Sequence, residues 1–118
     1  MATIGIFKYE AETKSFPAGE VIFQKGDPGD VMYVIQEGEV QIVYRDQILD
    51  TVGPGGVVGE MALVNKSPRS AAAIAKTDCT VVPLDEEAFK RHVHHTPFFA
   101  IQVMRVLADR LRRMNETL

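Results

Sequence analysis

Between Lys14 and Leu84 the apolar positions fall in short runs, each broken by Gly, Pro or a charged residue. The runs Val21-Ile22-Phe23-Gln24, Val31 to Ile35, Val40 to Tyr44, Ile48 to Val52, Ala71 to Ala75 and Thr80 to Leu84 predict strands, being rich in β-branched and aromatic residues. Val40-Gln41-Ile42 alternates with the period of two that a half-buried strand requires. Turn chemistry separates the runs: Phe16-Pro17-Ala18-Gly19, the block Lys25 to Asp30, Glu37-Gly38, Arg45-Asp46-Gln47, Gly53-Pro54-Gly55-Gly56 and Lys76-Thr77-Asp78. Short strands at that spacing predict an all-β sandwich or barrel.

After Leu84 the period changes. Asp85-Glu86-Glu87 reads as an N-cap followed by acids in a first turn, opening a helix that carries Ala88, Phe89 and Val93 to about His95. Thr96-Pro97 starts a second helix, with Pro at its first position. That helix carries a seam at Ala100, Met104, Leu107, Leu111, Met114 and Leu118, in alternating steps of four and three. Phe99, Val103 and Val106 form a second apolar face. Two faces need two covers, and the expectation is the β-body for one and a two-fold partner helix for the other. Residues 1–13, with Ile4, Ile6, Phe7 and Tyr9, predict a short helix or an irregular arm. The chain thus reads as a single domain over 1–118: the arm, a β-body over 14–84, and helices over 85–118.

Composition narrows the classes. Apolar residues are 46% and charged residues 25% of 118, the balance of a globular domain. No apolar run is long enough to span a bilayer, and Met1 to Gly5 show no basic-then-apolar leader. Cys79 stands alone, which excludes a disulfide framework and fits a cytoplasmic setting. A net charge of −3 argues against nucleic-acid binding by this domain. Residues 1–84 hold 7 Lys/Arg against 11 Asp/Glu, so any anion they bind must be held by local groups.

The stretch Val58 to Ala72 offers such groups. Gly59 permits a sharp turn and close approach of the backbone, and Glu60 to Leu63 reads as one helical turn with an acid at its start. Unpaired amides at a helix start suit a phosphate. Ser67-Pro68 is expected to end that turn. Arg69 then supplies a planar fork for phosphate oxygens, and Ser70 a hydroxyl. A ligand with an anionic face at Arg69 and hydroxyls at Glu60 would fit. The alternative is that Glu60 caps its own helical turn and Arg69 merely pairs with it.

Gly-Glu-Met-Ala-Leu, a short loop, then Pro-Arg-Ser-Ala-Ala resembles the phosphate-binding cassette of cyclic nucleotide-binding domains. The block from Gly26 to Val40 is similar to the Gly-turn, strand, Gly-turn signature that precedes the cassette in that family. The resemblance implies a mainly β fold with helices (α+β), a jelly-roll-like antiparallel β-roll with a short cassette helix and two C-terminal helices. It implies a ribose contact at Glu60 and a cyclic phosphate contact at Arg69. Amides near Gly59, Met61, Ala62 and Ala71 would complete the cradle, with Ser70 beside phosphate or base. Gln102 to Arg113 looks like the dimer helix of bacterial catabolite-activator-type regulators. In those proteins this helix closes over the purine, which would bring Met114 and Asn115 nearest, with Arg110 or Arg113 as alternatives. Ser70 stands where bacterial cyclic-AMP activators carry Ser, which favours cyclic AMP over cyclic GMP.

The function that follows is a non-enzymatic sensor of a cyclic purine mononucleotide, working as a homodimer, with no cofactor, metal or membrane partner. It would be a stand-alone adaptor or one domain of a longer regulator or channel. A metal oxygenase on a β-roll would need His within the strands, whereas His92, His94 and His95 fall in the helical part. The remaining alternative is a degenerate domain that keeps the fold for dimerisation and binds no nucleotide. Within the Gly-turn block, Gly26 and Gly29 are expected only to make turns, and Gly38 to let backbone lie close to the ligand.

Overall fold

The computed structural model describes Gly5, Phe7 and residues 12–116, with side chains through residue 113. Eight strands and three helices follow one another as β1 (Lys14–Phe16), β2 (Val21–Phe23), β3 (Val31–Glu37), β4 (Val40–Tyr44), β5 (Gln47–Val52), β6 (Val57–Val58), α1 (Met61–Val64), β7 (Ala72–Ala75), β8 (Cys79–Asp85), α2 (Glu86–His95) and α3 (Phe98–Glu116). The strands form two four-stranded antiparallel sheets, ordered β1-β8-β3-β6 and β2-β7-β4-β5. The expected β-roll with a short helix and two C-terminal helices is the fold observed. Strands β1 and β6 depart from the sequence pattern: Phe16, from the Phe16-Pro17-Ala18-Gly19 turn block, ends β1 against Cys79, and Val57-Val58 is a two-residue bridge onto Tyr33 and Val34.

Alternation along β3 and β8 divides the interior. Met32, Val34, Val82 and Leu84 point to one side, where Phe7, Phe99, Val103 and Val106 meet them. Tyr33, Ile35, Val81 and Cys79 point to the other, against Val40, Val52, Ala73 and Ala75 of the second sheet. The sheet is therefore buried on both faces, once by the helices and once by its partner sheet. Of the N-terminal arm, Phe7 is fully buried, its ring 5.3 Å from that of Phe99 and 4.6 Å from that of His92. The rest of that expectation lies mostly outside the described residues.

The β4–β5 hairpin closes at Arg45 and Asp46, both at positive φ (51° and 62°), with Tyr44 opposite Gln47. This is the two-residue turn whose twist matches that of the strands. At the start of α2 the Asp85 carboxylate accepts from the Ala88 amide at 2.8 Å. Removing that cap should cost about 1 kcal/mol. Asp85→Ala is accordingly expected to lower Tm by about 3–6 °C, and an unchanged melt would show that the cap is replaced by water.

On α3, Phe99, Val103 and Val106 are buried as expected. The seam is not all outward, because Leu107 packs against the helix-side core. The outward stripe is instead Ile101, Met104, Ala108 and Leu111. Met114 and Leu118 lie outside the described side chains. Among the described residues no helix is long and apolar enough to cross a membrane.

Candidate functional site

The segment from β6 to β7 turns sharply at Gly59, where φ is +76°. Glu60 follows as the N-cap of α1, but its side chain makes no capping hydrogen bond. The Ala62 amide donates to Gly59 O at 3.2 Å, so in this geometry it closes a turn rather than standing open as expected. Met61 and Val64 are exposed, while Ala62 is buried. The helix ends earlier than Ser67-Pro68. Asn65 N bonds to Met61 O at 2.9 Å, and Lys66 takes a left-handed φ of 53°.

Arg69 returns from this loop into the interior and is only 8% exposed. Its Nη1 donates to Gly59 O at 3.0 Å and its Nη2 to Val31 O at 2.7 Å. The guanidinium lies 4.2 Å from the centre of the Phe23 ring, and Phe23 stacks on Tyr33. Such a platform favours a weakly hydrated planar cation. Burial lowers the Arg69 pKa from its usual value, opposed by nearby Tyr33, Asp30, Asp27 and Glu60. Arginine remains a cation at neutral pH regardless. Its Nε is buried against Gly29 without a hydrogen-bond partner.

The backbone of Arg69 is laced to the Gly-turn block. Its amide donates to Asp27 O at 2.9 Å, and its carbonyl accepts from Gly26 N at 2.7 Å. The two sequence signatures thus meet at one residue. Gly29 does more than turn, against expectation: a Cβ there would lie 2.4 Å from Arg69 Nε. A Cβ at Gly59 would lie 2.5 Å from Arg69 Nη1. Both glycines clear space for the arginine. Gly38 also departs from expectation, packing on Asp78 and Cys79 at the opposite end of β3 from Val31.

The alternative pairing of Arg69 with Glu60 is not what forms. The buried carboxylate of Glu60 instead meets Arg110 of α3, whose Nη1 lies 2.6 Å from Oε1. Arg110 Nη2 also donates to Val57 O.

The profile of the cyclic nucleotide-binding domain matches residues 13–95, the β-roll and α2 together. The chain belongs to the cyclic nucleotide-binding domain family. It is 32% identical over 122 aligned positions to a CRP-like cAMP-activated global transcriptional regulator of Mycobacterium tuberculosis, covering 99% of this chain and 54% of that protein. It is 40% identical over 80 positions to a cAMP-dependent protein kinase regulatory subunit of Eremothecium gossypii, covering 68% of this chain and 18% of that one. Among solved structures it is similar to the Thermus thermophilus catabolite activator protein, with a TM-score of 0.77 and 30% identity over 89% of this chain and 52% of that one. The domain therefore spans about half or less of the length of these relatives.

Within the cyclic nucleotide-binding domain, the expected site residues fall into two groups. Gly59 O takes both the Ala62 amide and Arg69 Nη1, with Glu60 and Met61 between Gly59 and Ala62 in the chain. Ser70 and Ala71 follow directly in the chain, Ser70 exposed and Ala71 half-buried at the lip of β7. Asn115 lies on α3, but its side chain is outside the described residues. The sequence reading missed Asp50, whose carboxylate accepts from both terminal nitrogens of Arg113. Arg110, named only as an alternative purine contact, turns out to hold Glu60. No local signal marks Asp50, because its partner is 63 positions away. Among the described residues no group of side chains could hold a metal ion: His92 edges the Phe7–Phe99 cluster, while His94 and His95 meet edge to face.

Proposed function

We infer that this domain is a non-enzymatic sensor of a cyclic purine mononucleotide, with cyclic AMP preferred over cyclic GMP. The observation that carries the reading is the Arg69 guanidinium, buried beneath Gly59 with its Nε unpartnered and with Glu60 beside it. A buried cation with an unsatisfied donor calls for an anion, and a neighbouring carboxylate accepts hydroxyls. Relatives named as cAMP-activated and cAMP-dependent support the same ligand, as does Ser70 after the arginine.

In this reading residues 58–72 are the cassette and 85–118 the hinge and lid. Gly59, Met61, Ala62 and Ala71 supply amides, Ser70 a hydroxyl, and Asn115 a contact to the base. The exposed stripe Ile101, Met104, Ala108 and Leu111 takes a second copy of the chain, making a homodimer in the cytoplasm. Occupancy is transmitted because the ligand favours one arrangement of α2 and α3, by as much as its affinity differs between the two.

A second reading has its own support. Glu60 already has Arg110, and two of the Arg69 donors already have carbonyls. A domain kept for dimerisation alone would be satisfied with those partners. Calorimetric titration with cyclic AMP, cyclic GMP and 5′-AMP separates the two. Saturable binding of cyclic AMP, weaker for cyclic GMP and much weaker for 5′-AMP, is the expected result. No heat from protein shown to be free of co-purified nucleotide would leave the dimerisation reading.

A further inference from the structure

Asp50 sits on β5 and takes two arginines from α3. Arg113 grips it at two points, Nη1 to Oδ1 at 3.2 Å and Nη2 to Oδ2 at 3.1 Å. Arg110 Nε lies 3.6 Å from Oδ2, while its Nη1 reaches the other way to Glu60. The four side chains make one line of alternating charge, Glu60–Arg110–Asp50–Arg113, running from the cassette to the last described side chain of α3. The side chains of Asp50 and Arg110 are 18% and 20% exposed, so salt screens their interaction less than it would a surface pair.

Among the described side chains, the apolar hold on α3 stops short of this line. Phe99, Val103 and Val106 are buried and Leu107 is half-buried, but Leu111 is exposed. Among the described side chains past Leu107, it is charge that ties the helix to the roll.

We propose that Asp50 is the latch of a lid: through Arg110 and Arg113 it holds the end of α3 down beside Glu60 and limits how fast a nucleotide reaches the site. The nucleotide part rests on the sensor reading above; the latch does not. Two substitutions of opposite charge in the full 118-residue chain test it. Without added nucleotide, Asp50→Asn and Arg113→Gln should both speed hydrogen exchange at the amides of residues 107–113 by about fivefold, the scale of a partly buried two-point ion pair. In stopped flow with a fluorescent cyclic AMP analogue, both should associate about fivefold faster than wild type.

Arg113→Gln is the decisive variant, because loss of a cation alone would slow capture of an anion. Association that is slower or unchanged in Arg113→Gln overturns control of access by the latch. Exchange unchanged in both variants overturns the latch itself. If the wild type takes up no cyclic nucleotide, the sensor reading fails and the exchange rates alone decide the latch.

Discussion

Arg69→Ala is expected to weaken cyclic nucleotide binding by about thirtyfold to a thousandfold, equivalent to about 2–4 kcal/mol. The loss has two origins. A charge-assisted contact to the cyclic phosphate disappears, and the remaining cradle must hold an anion with no cation beneath it. The same substitution should also reduce stability, by about 2–3 kcal/mol. Gly59 O and Val31 O would lose their donors, and the Phe23 face would lose the guanidinium that covers it. Calorimetric titration beside urea unfolding keeps the two effects apart. Arg69→Lys is the companion variant, since it retains charge and stem but cannot reach both carbonyls with one planar fork. It should fold more stably than the Ala variant and still bind poorly. Either variant binding within about threefold of wild type would remove Arg69 from the site.

The largest effect on folding is expected at Gly38. Its φ is +88°, and a Cβ there would lie 2.3 Å from Asp78 O and 2.9 Å from Cys79 Cα. The obstacles are backbone and cannot swing away. Gly38→Ala should therefore cost about 1–2 kcal/mol for the left-handed conformation, and about 3 kcal/mol or more once the β8 backbone is displaced. Gly19→Ala is the control, because Gly19 has nearly the same φ (+89°) with nothing within 4 Å of the added methyl. It should show the conformational part alone. Equal urea midpoints for the two variants would mean that the β3–β8 contact yields freely, contrary to the packing observed. Cys79 belongs to the same contact. Its thiol, pushed up in pKa by burial, bonds to Glu39 O and Thr77 O, so Cys79 acts as part of the wall.

Much of this was legible before any coordinates. Strand β4 and helix α2 lie where their patterns put them, because alternation and an Asp N-cap are local signals. The turn at Gly59 and the short helix after it were legible for a similar reason, since Gly59 has a narrow conformational use and its effect is local. What remained hidden depends on distant partners. Strand β6 has two residues and exists only because β3 lies beside it. The clearance at Gly29 is needed only because Arg69, 40 positions later, folds back across it. Asp50 resembles any polar residue of an edge strand until α3 brings Arg110 and Arg113 to it. The outward stripe of α3 was misassigned at Leu107 because a pattern of threes and fours does not say which side the body will take.

The sheet made by β1, β8, β3 and β6 stands between two apolar chambers, one filled from the second sheet and one from Phe7 and the helices. It works as a bulkhead. Substitutions among Met32, Val34, Val82 and Leu84 therefore act on the helical chamber, and those at Tyr33 and Ile35 on the chamber between the sheets. What crosses from helices to cassette goes around the wall, through Arg110 and Glu60.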